Sequence, residues 1–268
     1  MGNLYFELTK EFNAEGVIAV LASGQAVVYY RISLMSKDGD WILRETPEAC
    51  DKVLTVLGQY GAQYRPGAPL DVRWLAGGWS SHFEFADPEG RRIRCDFVTR
   101  PPRMASEELL RLFEMAGSTE PLRVLDIEPL IRIKQTQRAK DYPVIGELAR
   151  LLPPEREIEF TTDPDRILAL ASAHGQSSRR APVRAALSGG SRETVVVELA
   201  RESDRLQQQD RARLEKYRVA SEAYLRAFQA ARIGSLDLPE AHERLCELAE
   251  RWLPRNPLIL EDGDGTAQ

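Results

Sequence analysis

Ser36-Lys37-Asp38-Gly39-Asp40-Trp41-Ile42-Leu43 sets two carboxylates, one residue apart, directly before an apolar segment that must enter a core. In an extended chain the period of two puts Asp38, Asp40 and Ile42 on one face of a sheet. Two acids on one face repel each other and need a counter-charge. A divalent cation such as magnesium is the usual one, held by one or two carboxylates and completed by water and substrate phosphate oxygens. Phosphoryl-transfer chemistry is therefore one reading of the pair. The other is a simple turn, because Asp-Gly is a strong turn signal.

The remaining composition narrows the setting. With 268 residues, 43% hydrophobic and 29% charged, the chain has the make-up of a globular protein of one large domain or two ordinary ones. A formal net charge of −5 gives no overall basic field, so bulk nucleic-acid binding is not indicated, although a local basic groove is compatible with it. Cys50, Cys95 and Cys246 are scattered and odd in number, which argues against a disulfide framework or a cysteine-type zinc site and for a reducing cytoplasm. No apolar run approaches the roughly 20 residues of a membrane span, and the first residues lack the pattern of a signal peptide. A cytoplasmic protein without membrane partners is expected.

Outward from the acidic stretch, residues 3–14 read as a short amphipathic helix with Leu4, Leu8 and Phe12 at helical spacing, and 17–21 as a strand covered on both sides. Ser23-Gly24 turns the chain. The segment 25–32 suits a strand by its β-branched residues and a helix by the turn before it. A strand, a Ser-Gly turn and a helix would present backbone N–H groups to an anion such as a triphosphate. Thr46-Pro47-Glu48 opens a helix over 47–60. From residue 62 the signals turn to β, with alternation at 70–75, 81–85 and 92–98 and a turn at Asp87-Pro88-Glu89-Gly90. In the last of these strands Arg94, Asp96 and Val98 share a face, so Asp96 is either a third functional acid or a solvent-facing residue on an edge strand. A helix is expected over 107–116 and a Gly-Ser-Thr-Glu-Pro turn at 117–121. Asp126 is a candidate cap for a further helix, with Ile127, Leu130, Ile131, Lys134 and Arg138 on one face. Those two cations either snorkel to water or point at a phosphate or at the acids. A fresh helix is expected from Asp141-Tyr142-Pro143.

These pieces in order resemble the nucleotidyltransferase superfamily of the DNA polymerase β type, in particular its small bacterial branch that includes abortive-infection toxins. The matching residues are Val20-Leu21-Ala22-Ser23-Gly24, Arg31, Ser36-Lys37-Asp38-Gly39-Asp40, Cys95-Asp96-Phe97 and the later Lys134 to Asp141 segment, spanning 16 to about 152. Two departures stand out: Ala22-Ser23-Gly24 replaces the commoner double glycine, and Gly39 occupies a position where an apolar residue is usual. The resemblance implies an α+β fold, a mixed sheet with flanking helices. It implies Asp38, Asp40 and Asp96 as catalytic acids and ligands of Mg2+ or Mn2+, and Ser23, Gly24, Lys134 and Arg138 as nucleotide-binding residues. The reaction implied is transfer of a nucleoside monophosphate from a nucleoside triphosphate to an RNA, protein or small-molecule acceptor, possible roles including a toxin that acts on tRNA or protein. The alternative is a scaffold that keeps the fold without the chemistry and binds a protein partner through a long C-terminal helix.

Beyond the resemblance, residues 153–192 read as a Pro-, Arg-, Ser- and Gly-rich linker with one helix over 164–174, and Ser188-Gly189-Gly190-Ser191 lacks the Lys-Ser or Lys-Thr of a phosphate loop. Residues 193–268 read as a mainly helical C-terminal region. Its long helix, over about 192–232, has a polar middle at 201–213, which suits either exposure between domains or a homodimer or protein partner on 193–232. Pro239 opens a last helix, and 261–265 is an acidic tail without a full calcium-loop ligand set. His82, His174 and His242 are assigned no chemistry.

Overall fold

The alternation at 38–43 becomes a strand because its odd-numbered side has a core to face. In the computed structural model, which describes residues 3–114 and 120–258, the chain divides into two compact units, 1–125 with 214–268, and 126–213. The first unit holds strands β1 (Ala19–Ala22), β2 (Asp38–Leu43), β3 (Gln63–Tyr64), β4 (Ser81–Ala86) and β5 (Arg92–Val98). Among the described residues they form one sheet in the order β1-β2-β5-β4-β3. β2 runs parallel to β5 and the other pairs are antiparallel, so the sheet is mixed. With its flanking helices this is the expected α+β architecture.

One sheet face is apolar. Trp41, Leu43, Phe83, Cys95 and Phe97 are buried there with Tyr5, Leu8 and Phe12 of α1 (Leu4–Phe12) and Val53 and Leu57 of α3 (Pro47–Gln59). Thr46 caps α3 by accepting the Ala49 N–H, with Pro47 in the first turn where its missing N–H costs nothing. Gly39 lies on this apolar face. A β-carbon there would sit 2.4 Å from Trp41 Cη2 and 2.5 Å from Tyr5 Cδ1, so the rings fill the space that an apolar side chain would take. Gly39→Ala is therefore expected to cost about 1–3 kcal/mol, the range of overpacking a well-filled core. Urea denaturation would read this as a lowered midpoint at unchanged slope.

Several sequence expectations change here. The segment 25–32 resolves as helix α2 (Ser23–Tyr29), and Arg31 lies beyond its end at φ 62°. The alternation at 70–75 is not a strand: the Asp71 carboxylate accepts the Arg73 N–H and caps the short α4 (Val72–Leu75). A local side-chain cap outweighs the period-two pattern over so few residues. Helix α5 (Ser106–Glu114) follows β5; the rest of the expected helix and all of the following turn except its last two residues lie outside the described residues.

The second unit is helical: α6 (Ile127–Lys134), a 3-10 turn Ala139–Asp141, α7 (Tyr142–Ala149), α8 (Pro154–Glu157), α9 (Pro164–His174), α10 (Ala181–Leu187) and the first part of α11 (Arg192–Ala230). Residues 153–192 are thus packed helices rather than a linker. Pro154, Pro164 and Pro182 stand in first turns, where proline favours a helix, so the proline content marks starts rather than a flexible chain. Ile158, Ile167, Leu170, Val183 and Val195 form the core they share. Arg180 adds bonds to Ile158 O (2.7 Å), Thr161 O (3.1 Å) and Glu202 Oε2 (2.6 Å). The unit boundaries therefore fall at 125/126 and 213/214, not at 152 and 192.

Helix α11 belongs in part to each unit. In the polar middle, Asp210 is buried and accepts the Gln137 N–H at 2.9 Å. In the last part, Tyr224 and Phe228 join the core of the first unit, and the Tyr224 hydroxyl donates to Gly67 O at 2.9 Å. The final helix is α12 (Leu238–Trp252), capped by Asp237. The acidic tail at 261–265 lies outside the described residues. Among the described residues, no helix is long and apolar enough to cross a membrane.

Candidate acidic site on the sheet

The opposite sheet face is charged, and strand register decides what it brings together. Parallel pairing sets Asp40 directly beside Asp96 and Asp38 beside Arg94, on strands about 4.8 Å apart. Antiparallel pairing adds His82 beside Asp96 and Glu84 beside Arg94. Asp96, far from Asp38 and Asp40 in sequence, thus shares one patch of one face with them. This settles the two strand alternatives of the sequence: Asp38-Gly39-Asp40 is strand rather than turn, and Asp96 is on an interior strand rather than an edge.

Each acid is held differently. Asp96 Oδ1 lies 2.8 Å from His82 Nδ1 and 3.3 Å from Arg65 Nη1, and both contacts fall on the same oxygen. Ser80 Oγ, 2.9 Å from His82 Nε2, fixes the far side of the imidazole. Asp38 Oδ1 is buried without a hydrogen bond, although the Arg94 guanidinium is 3.6 Å away. A buried carboxylate oxygen without a hydrogen bond is unusual and invites a ligand. His82, Arg65 and Arg94 are the site residues that sequence reasoning passed over. Arg94 was already on the face of Asp96 by alternation, whereas His82 reaches it only through the pairing of β4 with β5, and Arg65 through that of β3 with β4 as well.

Ser23 and Gly24, which open α2, lie beside this patch. β1 ends at Ala22, opposite Asp40, and Ser23 follows at φ 48°, in the left-handed region where glycine is at ease. A β-carbon on Gly24 would meet Ser36 Oγ at 2.2 Å, so the start of α2 packs closely against the approach to Asp38. That approach is tied down further: Gln25 Nε2 donates to Ser36 O at 2.9 Å and the Tyr5 hydroxyl to Lys37 O at 2.7 Å. Burial pushes the Tyr5 hydroxyl up to about 12, and the negative charges of Asp38 and Asp40 add to the effect. Tyr5 therefore stays a protonated donor at neutral pH.

A cavity of about 540 Å³ opens alongside, lined in part by Gln25, Ser36, Lys37, Asp38, Arg92 and Arg94. It reaches Asp38 while Asp40 and Asp96 are not among its lining residues. Its cations suit an anionic ligand.

Lys134 and Arg138 do not share a helix, because α6 ends at Lys134. Both turn to the buried Asp141 of their own unit, with Lys134 Nζ 3.9 Å from Oδ1 and Arg138 Nε 2.8 Å from Oδ2. Lys134 is only 6% exposed, so it does not snorkel to water.

No family model matches this chain, and no curated protein does. Among solved structures it is similar to JHP933 from Helicobacter pylori at 14% identity and a TM-score of 0.39, over 82% of this chain and 96% of that one. It is also similar to an H. pylori protein provisionally named a nucleotidyltransferase, at 13% identity and a TM-score of 0.37, over 78% of this chain and 94% of that one. Likeness of that degree leaves the functional reading to the geometry of the site.

Proposed function

We propose that the acidic sheet face is the active site of a metal-dependent nucleotidyltransferase. One observation carries the reading: Asp40 and Asp96 are paired in register on adjacent parallel strands, with Asp38 two residues earlier on the same face. An all-carboxylate donor set suits a hard divalent cation, and the buried, unbonded Asp38 Oδ1 fits one as a ligand. Asp38 and Asp40 would hold magnesium or manganese, with Asp96 beside them on the neighbouring strand. When bound, such an ion supplies charge neutralisation for the triphosphate and a lowered pKa for the attacking hydroxyl.

The chain's own groups do the remaining work. The Ser23 hydroxyl and Gly24 N–H orient the triphosphate at the end of β1, and Lys37, Arg92 and Arg94 draw it into the cavity. Asp96 takes the proton of the acceptor hydroxyl, whose oxygen bonds to the α-phosphorus as the bond to the β-phosphate oxygen breaks and pyrophosphate leaves. His82 and Arg65 hold Asp96 through Oδ1, which leaves Oδ2 for this role. Lys134 and Arg138 have Asp141 as their counter-charge, and the transfer needs no contribution from them. The acceptor is an RNA, a protein or a small molecule; if the protein is a toxin, its expression arrests growth and the Asp substitutions relieve the arrest.

A second reading, a scaffold without chemistry, draws on the arginines that already face two of the acids, Arg94 at Asp38 and Arg65 at Asp96. The two part on one experiment. Each of the four nucleoside triphosphates, labelled at the α-phosphate, is incubated with the protein, magnesium and total cellular RNA or protein. For the enzyme, label becomes attached to an acceptor only with magnesium, and Asp96→Asn lowers the rate by about 10²–10⁴-fold, the usual worth of general-base assistance. Absence of transfer with every nucleotide, or transfer undiminished in Asp96→Asn, favours the scaffold.

A further inference from the structure

A second cluster, separate from the charged sheet face, joins two segments far apart in sequence. α12 presents His242 and Cys246 one turn apart, so both lie on the same side of the helix. Asp71, the cap of α4, comes up against them from the other end of the first unit's sequence. Cys246 Sγ is 3.7 Å from His242 Nε2 and 4.0 Å from Asp71 Oδ2, and the three atoms all lie within 4.8 Å of one another. Zinc bonds of about 2.3 Å to sulfur and about 2.0–2.1 Å to nitrogen and oxygen put tetrahedral ligand atoms about 3.2–3.6 Å apart. The cluster is thus within a small side-chain adjustment of tetrahedral spacing.

The groups behind these atoms are those that orient metal ligands. Tyr64 Oη lies 2.7 Å from His242 Nδ1. A ring carrying its proton on Nδ1 donates to that oxygen and turns the Nε2 lone pair toward the cluster. The Arg73 guanidinium forks Asp71, with Nε 3.0 Å from each oxygen and Nη2 2.7 Å from Oδ2, while Nη1 lies 2.7 Å from Glu250. Glu250, which also pairs with Arg255, holds the far end of the Arg73 guanidinium, so the arginine fixes the carboxylate in place.

We propose that Asp71, His242 and Cys246 form a three-ligand site for Zn2+, its fourth position open to water or to a small ligand. Thiolate and imidazole select zinc over magnesium, so this site does not compete with the acidic face for the same ion. On binding, the Cys246 S–H bond breaks, the proton passes to solvent and the sulfur lone pair forms the Zn–S bond, with no change of oxidation state. Zinc binds the thiolate, so protons compete for the sulfur and occupancy falls as the pH is lowered. Bound zinc ties α12 to the α4 segment, closing a long loop of the chain.

The test is a titration of the metal-stripped full chain with Co2+, an optical stand-in for zinc. The expected result is a thiolate-to-cobalt charge-transfer band in the near ultraviolet that saturates at one equivalent and is bleached by Zn2+, together with a melting temperature raised several degrees by Zn2+. Carboxylates give no such band, so metal on the acidic face does not contribute to it. Cys246→Ala is expected to abolish the band, and His242→Gln to weaken cobalt binding at least tenfold, with circular dichroism of both variants matching the parent. The proposal is overturned if the unmodified chain shows no charge-transfer band, which requires no variant to fold, or if the band survives in Cys246→Ala.

Discussion

Trp41→Ala is expected to lower stability by about 3–5 kcal/mol, the range for truncating a buried aromatic residue. Trp41 is fully buried, stacks on Phe97 at 5.3 Å and meets the edge of Phe12 at 5.4 Å. Its indole N–H donates to Thr9 Oγ1 at 2.9 Å, tying the strand of the acids to α1. A loss of that size is a large part of the roughly 5–15 kcal/mol that holds a domain together. Trp41→Phe keeps most of the ring and forfeits the hydrogen bond, so about 1–2 kcal/mol is expected. Trp252, 51% exposed on α12, is the matched control, with Trp252→Ala expected within about 0.5 kcal/mol of the parent. Equilibrium unfolding of the three variants orders them. Equal losses at 41 and 252 would show that the Trp41 cluster does not carry the core.

Asp40→Asn is expected to separate activity from stability. Asp40 has Asp38 two residues away on its own face and Asp96 across the strand pair. Removing its charge relieves repulsion between close carboxylates, worth about 0.2–1 kcal/mol for like charges opposite one another in a sheet, and asparagine keeps the side chain's size and a hydrogen-bonding oxygen for its other contacts. The variant should therefore melt at or slightly above the parent temperature. The same change removes a proposed metal ligand, a loss of several kcal/mol from the transition state, and nucleotide transfer should fall by about 10³-fold or more. Active sites commonly give up stability for function in this way. A variant as active as the parent, or one that melts well below it, would assign Asp40 a structural role instead.

What could be read from the sequence, and what could not, follows from the range of the interactions. The alternation at 38–43 and 92–98 was enough to put Asp38 with Asp40 and Asp96 with Arg94, because a strand sorts its own side chains by parity. The cap Thr46 and the helix start at Pro239 were legible for the same local reason. That Asp40 sits beside Asp96 depended on which strands pair, and the resemblance implied it before the register did. His82 and Arg65 reach Asp96 only through pairing across β3, β4 and β5, which no local pattern records. The absence of a side chain at Gly39 looked like a departure until the Tyr5 and Trp41 rings were seen in its place. Residues 153–192 misled because proline signals a break in isolation and a helix start in context. His242 and Cys246 stood at helical spacing in plain view, but their third member, Asp71, is 175 residues from Cys246.

Manganese binding, followed by electron paramagnetic resonance with and without a non-hydrolysable nucleoside triphosphate analogue, bears most directly on the acidic face. Mn2+ prefers oxygen ligands, so the site proposed on the carboxylates of β2 and β5 is expected to dominate the signal. The expected result is binding to the parent chain that tightens when nucleotide is added, with both effects reduced at least tenfold in Asp40→Asn. Identical manganese titrations for parent and variant, unchanged by nucleotide, would contradict a metal-dependent nucleotide site on this sheet.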